Sequence, residues 1–120
     1  MTFFRQSLGK KGERLAMNYL RQAGYKIISS NYRTRLGEID LIAEEGETLV
    51  FVEVKTRSSK NCGHPLESIT PSKKRQIEKV ALEYLSKNRQ FERNIRFDAV
   101  AVFFLPPGNA PEIELVRDIF

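Results

Sequence analysis

The chain is poor in the residues that make staples, metal cages and membrane anchors. It has one cysteine, Cys62, so no internal disulfide can form. Its sole histidine is His64, and no Cys/His set has the spacing of a zinc site. Long apolar runs are missing too. The opening MTFFRQSLGKKGERLA holds no continuous apolar stretch fit for a signal peptide or a membrane span, so we expect a cytoplasmic setting and no membrane partner. Repeats and low-complexity linkers are absent, and 120 residues suit a single domain over positions 1–120.

What is present is ordinary in bulk and unusual in placement. Hydrophobic residues make up 41% and charged residues 29%, as in a soluble globular chain able to bury one core without staples. The formal net charge is +5. Excess Lys and Arg without a membrane-like helix favours nucleic acid as partner, because phosphates attract clustered cations and release counterions.

Periodicity divides the chain. Leu15, Ala16, Tyr19 and Leu20 recur at helical spacing between about Lys10 and Ala23, with Gly24 as the stop. YKIISSNYR reads as a first strand, and GEIDLIAEEGETLVFVEVKTR as a second and third around an EEGE loop. Thr70-Pro71 reads as an N-cap followed by proline at the first helical position. Ile77, Val80, Ala81, Tyr84 and Leu85 then form the apolar stripe of a second helix. IRFDAVAVFF is a buried strand, LPPGNAP a turn, and EIELVRDIF a last edge strand. The expected class is α/β, with an αβββαβ core whose mixed sheet is flanked by helices.

The second and third strands carry the chemistry. Side chains alternate faces along a strand, so Val50, Val52 and Val54 share one face, and Leu49, Phe51, Glu53 and Lys55 the other. By the same parity Ile39, Leu41 and Ala43 oppose Glu38, Asp40 and Ile42. A loop centred on Glu45-Gly46 would pair Asp40 with Phe51 and Glu38 with Glu53, keeping the apolar-only faces together. Glu38, Asp40, Glu53 and Lys55 then crowd one end of one face. Two carboxylates about 5 Å apart repel by roughly 3 kcal/mol at an effective dielectric near 20. A cation must reside there to make the cluster tolerable. Lys55 is one candidate, and a divalent metal is a stronger one. Oxygen-only ligands suit Mg²⁺ or Mn²⁺. Ordinary salt bridging of the acids by Lys55 is the plain alternative.

Asp40 followed by Glu53-Val54-Lys55 on the next strand resembles the PD-(D/E)XK nuclease signature, with Ile39 where that motif's name has proline. The wider pattern GEIDLIA…LVFVEVKTR, with Gly12-Glu13, Asn31-Tyr32-Arg33, Lys73 and RFDAVAV, resembles the YraN family. Its members are expected to be endonucleases distantly similar to archaeal Holliday junction resolvases. That resemblance implies a restriction-endonuclease-like fold and metal-dependent hydrolysis of phosphodiester bonds, in DNA ahead of RNA. Branched and linear substrates both stay open. Asp40 and Glu53 would be Mg²⁺ or Mn²⁺ ligands, Lys55 would orient or activate the attacking water, and Glu13 would be the further acid of the first helix. A homodimer is implied by the likeness to resolvases. Glu38 has no general role in the superfamily and is read as a partner of the ligands.

Cations surround this set in sequence. Lys73, Lys74 and Arg75 occupy the first turn of the second helix, where the macrodipole disfavours positive charge unless phosphates approach. Arg33, Arg35, Arg57 and Lys60 flank the acids and are read as backbone contacts. His64 is taken as a surface residue, Cys62 as incidental, Tyr19 and Tyr84 as core, and Asp98 as a buried acid paired with a base. A module that holds nucleic acid without cutting it, and a structural adaptor, remain the competing readings.

Overall fold

The computed structural model describes residues 2–58, 63–106 and 108–120, with side chains from Leu8 onward. Lys60 and Cys62 lie outside the described residues. The elements run α1 (Thr2–Gln22), β1 (Lys26–Thr34), β2 (Gly37–Glu45), β3 (Thr48–Arg57), a 3₁₀ turn (Pro65–Ser68), α2 (Pro71–Lys87), β4 (Ile95–Phe103) and β5 (Glu112–Val116). This is the expected αβββαβ core, with the expected edge strand as β5, which ends at Val116. Helix α1 starts earlier than Lys10, because only Gly9 opposes helix in that stretch, at a cost of about 1 kcal/mol relative to Ala. It stops where expected. Gly24 takes φ +97°, and the Tyr25 and Gly24 amides donate back to the carbonyls of Leu20 and Arg21 at 2.9 and 3.1 Å.

The five strands lie in chain order across one sheet. Neighbours are antiparallel except β3 and β4, which run parallel. A parallel pair needs a long crossover, and α2 is carried in it. This is a mixed sheet with two helices, as in a restriction-endonuclease-like core. The helices cover opposite faces. Ala16 and Leu20 of α1 pack with Leu41, Ala43, Val50, Val52, Val100 and Val102. Ile77, Val80, Ala81, Tyr84 and Leu85 of α2 pack with Ile42, Leu49 and Phe51. Each fully buried Leu, Ile, Val or Phe contributes roughly 1.5–3 kcal/mol. Tyr84 is core as expected, but Tyr19 is 36% exposed, because it sits at the margin of the α1 stripe.

Two details of β2 correct the sequence reading. The hairpin turns at Gly46-Glu47 rather than Glu45-Gly46, with Gly46 at φ +60°, so Ile42 faces Phe51 and Leu41 faces Val52. The displacement is an even number of residues, so the faces survive and only the cross-strand partners change. Asp40 therefore lies toward Glu53, not Phe51. The second correction concerns Ile39, which packs in the α2-side cluster together with Ile42. Strict alternation fails between them. Across the ladder from Asp40, Asn31 of β1 has φ +53°, a left-handed kink that asparagine tolerates better than most residues.

Asp98 is fully buried and paired with a base, as expected. Arg96 Nε donates to its Oδ1 at 2.8 Å, the Tyr25 hydroxyl to its Oδ2 at 2.7 Å and the Asp118 amide to its Oδ1 at 3.0 Å. Burial and the Asp98 carboxylate both push the Tyr25 phenol upward. The network ties the end of α1 and the C-terminal segment to the sheet.

Candidate active site

Three elements converge on one end of the sheet. The β2–β3 ladder stops at Leu41 opposite Val52. Beyond it the Asp40 carboxylate takes over, Oδ2 accepting the Val54 amide at 2.8 Å. Helix α1 approaches closely because Gly12 has no side chain: a Cβ there would stand 2.2 Å from Thr56 Oγ1. That contact brings Glu13 to the same end. Glu13, Val54, Lys55, Thr56 and Arg57 line a cleft of about 620 Å³. A groove of about 630 Å³ between α2 and the C-terminal segment has mainly apolar walls, with Lys74 as its only charged side chain.

Glu53 is the unusual member. It is only 4% exposed, and its Oε1 has no hydrogen-bond partner among the described residues. Leaving a buried charged acceptor unsatisfied costs at least about 1–3 kcal/mol. Burial raises its carboxyl to about 7, and repulsion from Asp40 adds to the rise while Lys73 and Lys55 oppose it. Asp40 is raised to about 6, first by burial and then by Glu13 and Glu38, against the pull of the Val54 amide and Lys55. The two acids thus sit close enough to resist joint ionisation.

Asp40, Glu53, Lys55, Glu13 and Glu38 act on one another at this end of the sheet. Among the described residues Lys73 is the cation that reaches Glu53, Nζ standing 4.0 Å from Oε2, a contact beyond the phosphate role that the sequence suggests for it. The signal was available: Lys73 lies one helical turn before Ile77, on the stripe that faces Phe51 and Glu53. Arg57 lines the cleft. Arg33 is exposed and stands 3.5 Å from Glu38 at the rim. Arg35 is exposed at the β1–β2 turn. Lys74 turns elsewhere, its Nζ lying 5.2 Å from the centre of the Phe120 ring. His64 is half-buried; its Nδ1 accepts the Leu66 amide at 3.1 Å, and its Nε2 faces Glu114.

The donor set fits a hard divalent cation. Its atoms are carboxylate oxygens, one is an unsatisfied buried oxygen, and neutralising them would remove the repulsion between the acids. Among the described residues no three His, Cys, Asp or Glu side chains are assembled as a ready-made cage. Mg²⁺ commonly uses only one or two carboxylates, with water and substrate phosphate completing its shell.

Comparison with known proteins follows the same residues. The pattern of "Uncharacterised protein family UPF0102" matches residues 12–102, from the Gly12-Glu13 contact through β4. The UPF0102 protein of Geobacter metallireducens is 47% identical over 120 residues, covering 100% of this chain and 97% of its own. That of Syntrophus aciditrophicus is 49% identical over 112 residues, covering 93% and 87%. That of Clostridium kluyveri is 38% identical over 120 residues, covering 100% and 98%. The chain belongs to the UPF0102 family, also called the YraN family.

Proposed function

We propose that this protein is a metal-dependent nuclease that hydrolyses phosphodiester bonds, in DNA ahead of RNA, within a cytoplasmic setting. The observation that carries the reading is the buried Glu53 carboxylate, with one oxygen unpartnered among the described residues, beside Asp40 and two lysines. Ionising such a group in a buried position is costly, and a bound cation would offset that cost. Asp40 and Glu53 would hold Mg²⁺ or Mn²⁺, with Glu13 as the further acid. When bound, the ion supplies a Lewis acid that polarises a phosphate oxygen.

The chain's own groups would do the rest. The Val54 amide fixes Asp40 in one orientation through their 2.8 Å hydrogen bond. Lys55, on the same strand two residues after Glu53, carries the positive charge that stabilises a developing oxyanion or orients water. Arg57 on the cleft wall and Arg33 and Arg35 at the β1–β2 turn would contact the phosphate backbone, which favours nucleic acid over a small phosphoester.

A nucleic-acid-binding module without turnover is the second reading. Its support is that no three acidic or imidazole side chains are assembled among the described residues. Titration of Mn²⁺ into the purified protein, with a panel of labelled linear and branched DNA and RNA, separates the two. Cleavage that requires metal and is lost in Glu53→Gln establishes the nuclease. Tight binding without strand scission establishes the module.

A further inference from the structure

We propose that Lys73 is an internal counter-cation for Glu53, which a divalent metal displaces and which then takes a phosphate, so that metal loading and nucleic-acid binding reinforce each other. The inference rests on the metal-holding reading of Asp40 and Glu53 and adds to it a positioning residue and a coupling.

Four features converge on Lys73. Its Nζ stands 4.0 Å from Glu53 Oε2, the outer limit of an ion pair, while Glu53 Oε1 has no hydrogen-bond partner among the described residues. One ammonium therefore half-serves a carboxylate that is only 5% exposed along its side chain. The Lys73 side chain is 32% exposed, so it reaches from the buried acid to water. The first turn of α2 contains no acid, and a cation there opposes the helix dipole. Placing a lysine at that point makes sense only for what its side chain reaches. Finally, its backbone is pinned, with Pro71 at the start of the helix and the Lys73 amide donating to Thr70 Oγ1 at 3.1 Å. The side chain alone can move.

A dication between Asp40 and Glu53 would repel the ammonium at this range. The flexible four-carbon stem lets the charge swing away without disturbing the helix. Freed from Glu53, it is available to a phosphate of the incoming backbone. Lys74 does not duplicate the role, being stacked over Phe120. Thermodynamic reciprocity follows: if metal frees Lys73 for the phosphate backbone, nucleic acid must tighten metal binding by the same factor.

The test is Mn²⁺ calorimetry on the full chain without nucleic acid. Lys73→Met removes the competitor, and its Mn²⁺ affinity should rise about tenfold, the equivalent of about 1.4 kcal/mol. Lys73→Arg keeps a cation with a two-donor fork on Glu53, and should weaken Mn²⁺ instead. A second arm measures affinity for a cleavage-resistant phosphorothioate duplex against salt. Mn²⁺ should raise the log–log slope in the wild type by about 0.9 more than in Lys73→Met. Unchanged or weaker Mn²⁺ binding in Lys73→Met, or equal slope increments, overturns the inference while leaving the metal site standing. A wild-type protein that takes up no Mn²⁺ overturns the metal reading and this inference together.

Discussion

Asp40 holds the amide of Val54 at 2.8 Å, standing in for the backbone bond that the β2–β3 ladder would otherwise make. One carboxylate oxygen is therefore structural, and the group as a whole lies under electrostatic stress from Glu13 and Glu38. Asp40→Asn preserves an amide-accepting oxygen and deletes the charge. In chelator it should melt no lower than the parent, and higher if relief of repulsion dominates. Metal affinity and any cleavage should collapse, because a neutral amide is a poor ligand for a hard cation. Asp40→Ala should instead lose about 1–3 kcal/mol, with the Val54 amide left unpaired. Thermal melts beside a Mn²⁺ cleavage assay read all three quantities.

The raised carboxyls set a pH dependence of defined sign. Asp40 rises from 3.8 to about 6 and Glu53 from 4.5 to about 7, so between about pH 4 and 7 the folded chain binds more protons at these sites than the unfolded one. Their contribution to stability therefore falls as pH rises through that window, and levels off above it. Urea unfolding in chelator at pH 5 and pH 8 should reveal this loss as a difference between the parent and Glu53→Gln, the variant falling less. Mn²⁺ should bind more tightly at pH 8 than at pH 5.

Asp98 supplies the contrast of a buried acid that is fully partnered. Arg96→Met removes the base that reaches it at 2.8 Å and leaves a charge in a core position with 0% exposure. The loss should be about 3–5 kcal/mol by urea unfolding. Metal affinity, measured well below the melting temperature, should stay at the parent value.

How far the sequence reveals this architecture depends on which force fixes each part. The apolar stripe from Ile77 to Leu85 and the Val50-Val52-Val54 face follow from burial, which is periodic and readable. The placement of Asp40 beside Glu53 is readable only in part. Parity puts the acids at one end, but it cannot foresee the turn at Gly46-Glu47 or the kink at Asn31, which depend on local backbone energies. The Lys73–Glu53 approach was one step further away, since it requires knowing which face of the sheet α2 covers.

Gly12 carries a packing prediction. Gly12→Ala would put a methyl 2.2 Å from Thr56 Oγ1 and should cost about 1–3 kcal/mol as α1 is pushed from β3. Adding Thr56→Ala removes the hydroxyl and the Cγ2 contact at 3.4 Å and keeps the Cβ at 3.3 Å. The double variant should recover most of the loss in a melt.

Nucleic-acid affinity should fall steeply with salt, each phosphate contact adding about 0.9 to the log–log slope on duplex DNA. Arg57→Ala should lower the slope by about one contact and weaken all sequences alike. Fluorescence anisotropy over a salt series measures both. A flat salt response would refute the nucleic-acid reading.

The two outer strands also limit how copies of this chain can join. Strand β1 is bulged between Ile27 and Ser29 and kinked at Asn31, while β5 is five residues long and carries Glu112 and Glu114. Bends, shortness and like charges each spoil a template for pairing with another sheet. Joining through a continuous intermolecular sheet is therefore disfavoured at both sides. If copies of this chain associate, contacts through helices or loops are favoured over a shared sheet.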